Sequence, residues 1–203
     1  MIATQQDHSL ASRIIERFES SFGTSPLVVR SPGRVNLLGE HTDYNNGFVL
    51  PAAINKAIYM GVSRRDDHLI HIISQDLDLS YMGDTRAVKP SSLHWPDYIL
   101  GVLQQLQAQG HVIGGFNCVF GGDIPLGAGM SSSAALECAT AFALNELFGL
   151  GLDPLTMVTY YVKPRHACGG SATPGVAAGT YSVPARDVPV RTVSAAPFPQ
   201  LRS

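Results

Sequence analysis

The sequence has little of what nucleic-acid-binding, membrane and disulfide-rich secreted proteins need. Its formal net charge is −2 and its pI is about 6.4, so it offers no basic surface to nucleic acid. Its apolar runs are far shorter than the roughly 20 residues that cross a bilayer. Residues 1–18 lack the basic and apolar parts of a signal peptide, and the three cysteines form no CxxC pair. We therefore expect a cytoplasmic protein without nucleic-acid or membrane partners.

The apolar pattern changes from helical to strand-like and back over residues 1–160. Apolar side chains recur every four positions at the start of the chain, and short runs rich in Val, Ile and Leu follow. In chain order, the pattern predicts a helix over 9–22 ended by Gly23, five short strands between Leu27 and Gln75, a helix from Pro96 ended by Gly110, a strand over 114–120, a helix over 131–149 and a helix opened by Asp153 and Pro154. Strands and helices in this order favour an α+β domain over a regular βαβ repeat.

The composition changes abruptly near Tyr161. Residues 164–203 hold six of the 13 prolines and seven alanines, and contain no Glu, Lys or Ile. Such a stretch cannot bury enough apolar surface to offset the entropy that ordering would cost. We predict a domain over residues 1–160 and a disordered tail over residues 161–203.

Residues 31–51 form the first stretch with recognisable chemistry, because they gather Arg34, Glu40, His41 and Asp43 among several glycines. Carboxylates and an imidazole on a tight loop suit a polyhydroxylated ligand, since each exchanges hydrogen bonds with hydroxyl groups and charged acceptors make the stronger bonds. Arg34 is a fixed cation that could stand against a transferring phosphoryl group. A surface loop with satisfied charges is the alternative for any one of these residues, but the whole string is too dense in Pro, Gly and charge for a simple turn.

Residues 122–137 form the second stretch, a Gly-rich loop that runs into a helix N-terminus rich in hydroxyl groups. The free N–H groups and the positive dipole end of such a helix favour phosphate. Gly127 and Gly129 would let the backbone approach the anion, and the serines at 131–133 offer hydroxyls to phosphate oxygens or Mg²⁺. No GKS or GKT follows, so this is not a Walker loop. An ordinary serine-capped helix is the alternative for this stretch alone.

The two stretches together resemble known sequences. Residues 33–45 resemble the galactokinase signature GRVNLIGEHTDYN, and residues 125–135 resemble the PxGAGLSSSAS phosphate loop of the GHMP kinase superfamily. Residues 95–102 are similar to the segment that precedes the nucleotide pocket in that family. The resemblance covers about residues 22–158 and implies a GHMP-kinase N-terminal domain, of the ribosomal protein S5 domain 2-like type.

The resemblance to galactokinases also implies a reaction and a set of substrates. The reaction is transfer of the γ-phosphoryl group of ATP to the C1 hydroxyl of galactose, with ATP and Mg²⁺ as cofactors. Galactose would contact Glu40, His41, Thr42 and Asp43, and Arg34 would bind substrate and stabilise the transition state.

The nucleotide site that the resemblance implies lies in the second stretch and on one earlier serine. Its residues are Ser74, Gly127, Ala128, Gly129, Met130, Ser131, Ser132 and Ser133, with Ser133 as the Mg²⁺ ligand. Trp95 either lines the base pocket or serves as a core aromatic residue.

The chain departs from the family pattern after the helix that Asp153 opens. The glutamate that is the second Mg²⁺ ligand, the CGIMDQ-like strand with the catalytic aspartate, and the C-terminal kinase domain are not found in residues 160–203. We therefore expect the chain to be inactive by itself, and its tail looks like translation in a shifted reading frame. The alternatives are an N-acetylgalactosamine kinase and a non-catalytic galactose/ATP sensor, the latter disfavoured by the intact SSSAA string. The oligomeric state is left open.

Overall fold

The computed structural model describes residues 5–38, 50–125, 130–154, 156–157, 184–185 and 188–192. The elements in this part of the chain are α1 (Gln5–Phe22), β1 (Leu27–Leu38), β2 (Leu50–Arg64), β3 (Leu69–Ser74), β4 (Leu79–Asp84), a 3₁₀ turn (Thr85–Ala87), α2 (Asp97–Ala108), β5 (Phe116–Gly122), α3 (Ser132–Phe148), β6 (Pro184–Ala185) and β7 (Val188–Thr192). The strands form one sheet in the order β4-β3-β5-β2-β1-β7-β6. The predicted α+β domain is confirmed.

Helices cover both faces of the sheet. Successive side chains of a strand point to opposite faces, so the sheet has an apolar face on each side for helices to cover. On one face, Ile14 and Phe18 of α1 pack with Tyr59 and Val119 in one buried cluster. On the other face, the apolar sides of α2 and α3 pack in a larger cluster with residues such as Met60, the neighbour of Tyr59. Complete burial of one such side chain is worth about 1.5–3 kcal/mol, so these two layers hold the sheet rigidly.

The β1–β2 hairpin is longer than the sequence predicts. The Pro-Gly pair at 32–33 reads as a break between two strands, but β1 continues through it with a register shift between Pro32 and Arg34. A bulge of this kind bends the strand and redirects the side chains after it. The hairpin joins residues 39–49, which hold the predicted sugar contacts, to the sheet.

The helices follow the predicted pattern closely. Helix α1 begins four residues earlier than predicted and ends at Phe22, where Gly23 has φ +69° and donates its N–H to the Glu19 carbonyl at 2.8 Å. Helices α2 and α3 end just before Gly110 and Gly149, both with positive φ. The Asp153 carboxylate accepts the backbone N–H of Thr156 at 3.0 Å, as a helix N-cap does.

Two regions differ from the sequence-based expectation. Strand β4 was not predicted, because this edge strand leaves Leu79 and Met82 largely exposed and so lacks an apolar alternation.

Strands β6 and β7 lie within residues 161–203, where we expect no regular structure, and β7 pairs in parallel with Val28–Arg30 of β1. Val188 and Val190 are β-branched, and the free edge of β1 offers unpaired backbone groups to such a strand. The remaining residues of 158–203 lie outside the described part of the chain. No helix of the described residues is long and apolar enough to cross a membrane.

Candidate functional site

A cavity of about 410 Å³ opens where β3 and β5 end. These strands are parallel neighbours, so their carboxyl ends lie at the same edge of the sheet, where the starts of α2 and α3 also meet. The residues that line the cavity are Ile58, Ser74, Asp76, Leu77, Trp95, Tyr98, Phe120, Gly122, Asp123, Ile124, Pro125, Ser132, Ser133 and Leu136. The cavity therefore brings together Ser74, Ser132 and Ser133, which the sequence analysis assigns to one site.

One part of the cavity wall is aromatic. Trp95 and Phe120 lie with ring centroids 5.9 Å apart, and Tyr98 follows on the first turn of α2. We call these three residues the aromatic end. Phe120 belongs to the main core, and Trp95 and Tyr98 pack against that core, so the wall is fixed by apolar contacts. Ring faces of this kind bind a flat heteroaromatic group.

Another part of the wall is polar and lies at the start of α3. We call Ser132 and Ser133 the hydroxyl end. Ser131, just before them, has a left-handed backbone with φ +56°, and its side chain makes no capping hydrogen bond. The structure thus differs from the alternative of an ordinary serine-capped helix. The first N–H groups of a helix have no intrahelical partners, and this terminus carries the positive end of the dipole. Hydroxyls and N–H groups at one helix start can bind an anion.

Two carboxylates, Asp76 and Asp123, also line the cavity, and sequence reasoning missed both. Asp76 accepts the backbone N–H of Gly122 at 2.9 Å. Asp123 accepts the backbone N–H of Ala57 at 2.9 Å and pairs with Lys56 at 3.0 Å. Both are therefore committed to holding the end of β5 in place. Asp123 had a signal in the sequence, because it stands between the strand and the Gly-rich loop.

Arg34 lies outside the cavity, on β1 after the bulge. Its backbone N–H donates to the carbonyl of Met130 at 3.2 Å, so β1 is joined directly to the segment that precedes α3. Burial, with the neighbouring Glu137, raises the pKa of the Cys138 thiol to about 12, and the positive charge of Arg34 opposes that rise. Arg34 is therefore near the first turns of α3.

The remaining predicted contacts fall outside the described residues. They are Glu40, His41, Thr42 and Asp43 of the first stretch and Gly127, Ala128 and Gly129 of the second. Their roles stay predictions. Ser74, buried at the end of β3, and Trp95, which also packs against the core, both line the cavity. Both functions considered for Trp95 are thus compatible with its position.

Comparison with known families gives two matches along the chain. Residues 16–64 match the galactokinase galactose-binding signature. Residues 97–182 match the N-terminal domain of GHMP kinases, a match that extends beyond the predicted boundary at residue 160. The first match contains Arg34, and the second contains Tyr98, Phe120 and the hydroxyl end.

Individual relatives agree with these matches. The chain is 41% identical over 138 residues to a galactokinase from Roseiflexus sp. (strain RS-1), an alignment that covers 68% of this chain and 35% of the relative. The crystal structure of Lactococcus lactis galactokinase complexed with galactose superposes with a TM-score of 0.73 and 32% identity, over 80% of this chain and 44% of that one. Methanococcus jannaschii mevalonate kinase shares the fold, with a TM-score of 0.64, 19% identity and coverage of 73% and 49%. The chain thus spans less than half the length of these relatives.

Proposed function

Since the chain belongs to the galactokinase family and spans its N-terminal part, we propose that it binds MgATP and galactose, the substrates of a galactokinase-type transfer of the γ-phosphoryl group to the C1 hydroxyl of the sugar. We expect the chain not to complete this transfer by itself. The observation that carries this proposal is the cavity, which joins an aromatic end to a hydroxyl end. A nucleotide has the same two-part character, a flat base and a chain of phosphates.

The residues present fit ATP. A cavity of about 410 Å³ is within the ordinary size of small-molecule sites. The base would lie against Trp95 and Tyr98, and the phosphates would lie at Ser132 and Ser133, where the helix start favours negative charge. Ser74 offers a further hydroxyl from the end of β3.

The residues present fit Mg²⁺ in part. This ion takes oxygen ligands, usually a few from the protein with phosphate oxygens and water. Ser133 would supply a hydroxyl oxygen. The carboxylates of Asp76 and Asp123 are nearby in the same wall, but both are already engaged by backbone N–H groups. When bound, the ion would neutralise charge that develops on the phosphates.

Arg34 would place a positive charge beside the transferring group. Arg34 lies on β1, and the Met130 carbonyl ties its backbone to the start of α3. Positioning and electrostatic stabilisation provide most of the catalysis in phosphoryl transfer. The galactose contacts proposed for Glu40, His41, Thr42 and Asp43 lie on the loop that follows Arg34. The group that accepts the proton of the sugar hydroxyl is not assigned within the described residues.

Calorimetric titration of the 203-residue chain tests the proposal. We expect binding of MgATP, and binding of galactose but not of glucose. Ser133→Ala should weaken MgATP binding by about threefold to tenfold, the usual effect of losing one hydrogen bond. Ser20→Ala is the matched control, because the Ser20 hydroxyl donates only to the Arg17 carbonyl on the exposed side of α1.

Two outcomes would contradict this proposal. Absence of MgATP binding by the folded chain would rule out the cavity as a nucleotide site. Tighter binding of N-acetylgalactosamine than of galactose would favour the other sugar kinase considered for this sequence.

A further inference from the structure

Asp123 ties the end of β5 to the β1–β2 hairpin through three separate contacts. One carboxylate oxygen accepts the backbone N–H of Ala57 at 2.9 Å, and the other pairs with the Lys56 ammonium at 3.0 Å. The Asp123 backbone N–H donates to the Ala57 carbonyl at 3.2 Å. The Asp123 side chain is 16% exposed and that of Lys56 is 36% exposed, so these bonds are partly buried, and the pair is charge-assisted.

The segment that begins at Asp123 is tied to the same hairpin a second time, where it enters α3. There the Met130 carbonyl accepts the backbone N–H of Arg34. The contact is tight: a Cβ on Gly33 would lie 3.0 Å from that carbonyl oxygen and 3.1 Å from Ile124. The hairpin therefore holds both described ends of this segment, at Asp123 and at Met130, and the same hairpin carries Arg34.

We propose that Asp123, with Lys56, is a positioning residue for the phosphates of the bound nucleotide. This inference rests on the proposed function. Asp123 would act by fixing the backbone that leads from β5 to the hydroxyl end, without itself contacting the nucleotide. A carboxylate suits this task because its two oxygens accept from a backbone N–H and an ammonium at the same time.

The ion pair between Asp123 and Lys56 also affects the net charge of the cavity wall. Asp123 lines the cavity, and an uncompensated carboxylate there would repel the phosphates of ATP. The Lys56 ammonium neutralises that charge. Loss of Lys56 should therefore weaken binding of ATP but not of adenosine, which carries no charge.

The test is titration of the 203-residue chain with MgATP and, separately, with adenosine. For Asp123→Ala we expect the Kd of MgATP to rise by about tenfold, since the charge-assisted hydrogen bond to the Ala57 N–H is lost. The Kd of adenosine should stay within about twofold, because the aromatic end is fixed by core packing. A change confined to MgATP distinguishes positioning from a general loss of folded protein, which would weaken both ligands alike.

Lys56→Met probes the charge while keeping the hydrogen bond to Ala57. We expect the Kd of MgATP to rise by about threefold to tenfold, as for one lost ion pair near the surface. Adding Asp123→Asn to Lys56→Met should restore most of the affinity, because the amide oxygen still accepts the Ala57 N–H without the charge.

Asp84→Ala is the matched control. The Asp84 carboxylate also accepts a backbone N–H and pairs with a cation, both from Arg86, but it lies on β4 outside the cavity wall. Its loss should leave the ratio of the two affinities unchanged.

The outcomes separate this inference from the proposed function. If the unaltered chain binds neither ligand, the proposed function fails, and the inference fails with it. If the unaltered chain binds MgATP more tightly than adenosine and Asp123→Ala keeps the same ratio, the inference alone is overturned. Failure of Asp123→Asn to rescue Lys56→Met would overturn the part that concerns charge.

Discussion

The aromatic end and the hydroxyl end of the cavity are held in place by different forces. Trp95 and Tyr98 both pack against the main core, and Trp95 contacts Phe120, so many weak apolar contacts fix them. The hydroxyl end also packs on the core, through Met130, Ala135 and Leu136, but it has in addition polar ties to the β1–β2 hairpin, at Asp123 and at Met130. An apolar contact tolerates substitution by an apolar side chain of similar volume. A hydrogen bond, in contrast, is lost completely when one of its partners is removed. Base affinity and phosphate affinity should therefore respond to different substitutions.

Gly122→Ala, at the end of β5, should have the largest effect on the difference between base affinity and phosphate affinity. A Cβ there would lie 2.2 Å from the Ala57 carbonyl oxygen and 3.0 Å from the Cα of Ile58, so the strands must separate. Overpacking of this kind costs about 1–3 kcal/mol of the free energy of unfolding. We expect urea unfolding to show that loss and titration to show MgATP binding reduced far more than adenosine binding.

The control for this substitution is Gly115→Ala, at the opposite end of β5. Its Cβ would meet the Asp67 carbonyl oxygen at 2.5 Å and that of Leu69 at 2.7 Å. The loss of stability should be similar, with the ratio of the two affinities unchanged. Equal ratios for Gly122→Ala and Gly115→Ala would show that the hydroxyl end does not depend on the end of β5.

The aromatic end is tested by Trp95→Ala. Stacking of a base on an aromatic side chain is worth about 1–3 kcal/mol, so we expect the Kd of adenosine and of MgATP to rise in parallel by about tenfold. Trp95→Phe keeps a ring and should recover part of the affinity. An effect on MgATP without one on adenosine would place the base elsewhere.

Sequence patterns predicted the parts of this molecule that depend on local periodicity. Helices α1, α2 and α3 each bury a wide apolar face and end at glycines with positive φ, and both features are visible in the sequence. The hydroxyl groups at the start of α3 were predicted because they too are a local feature, adjacent serines just before an apolar helical pattern. Strand β4 was missed because an exposed edge strand has no apolar alternation to detect.

The part of the site that the sequence did not predict, the two carboxylates in the cavity wall, depends on pairing between strands that are far apart in the chain. Asp76 and Asp123 enter the cavity wall because β3, β5 and β2 pair in one particular register. Asp76 reaches Gly122 and Asp123 reaches Ala57 across gaps of 46 and 66 residues. No local spacing encodes such contacts, so carboxylates that hold a site are harder to find than serines at a helix start.

The smallest expected effect comes from a charge remote from both ends. A hydrogen-bonded pair with Arg65 lowers the pKa of Asp67 from 3.8 to about 2. Because the folded pKa is depressed, this pair stabilises the fold above pH 3.8, and the stabilisation is lost as pH falls towards 2. Asp67→Asn should therefore flatten the dependence of the melting temperature on pH between about 4 and 2. It should leave both nucleotide affinities unchanged, and a shifted affinity ratio would mean that the two ends respond to distant charge.

The central claim, that one nucleotide bridges the two ends of the cavity, is tested most directly by ¹⁵N NMR titration of the 203-residue chain. Trp95 is its single tryptophan, so one indole N–H signal reports on the aromatic end, while the amides of Ser132 and Ser133 report on the hydroxyl end. We predict that MgATP shifts all three signals, adenosine only the indole, and inorganic triphosphate only the two amides. An indole signal that does not move at saturating MgATP would contradict the account.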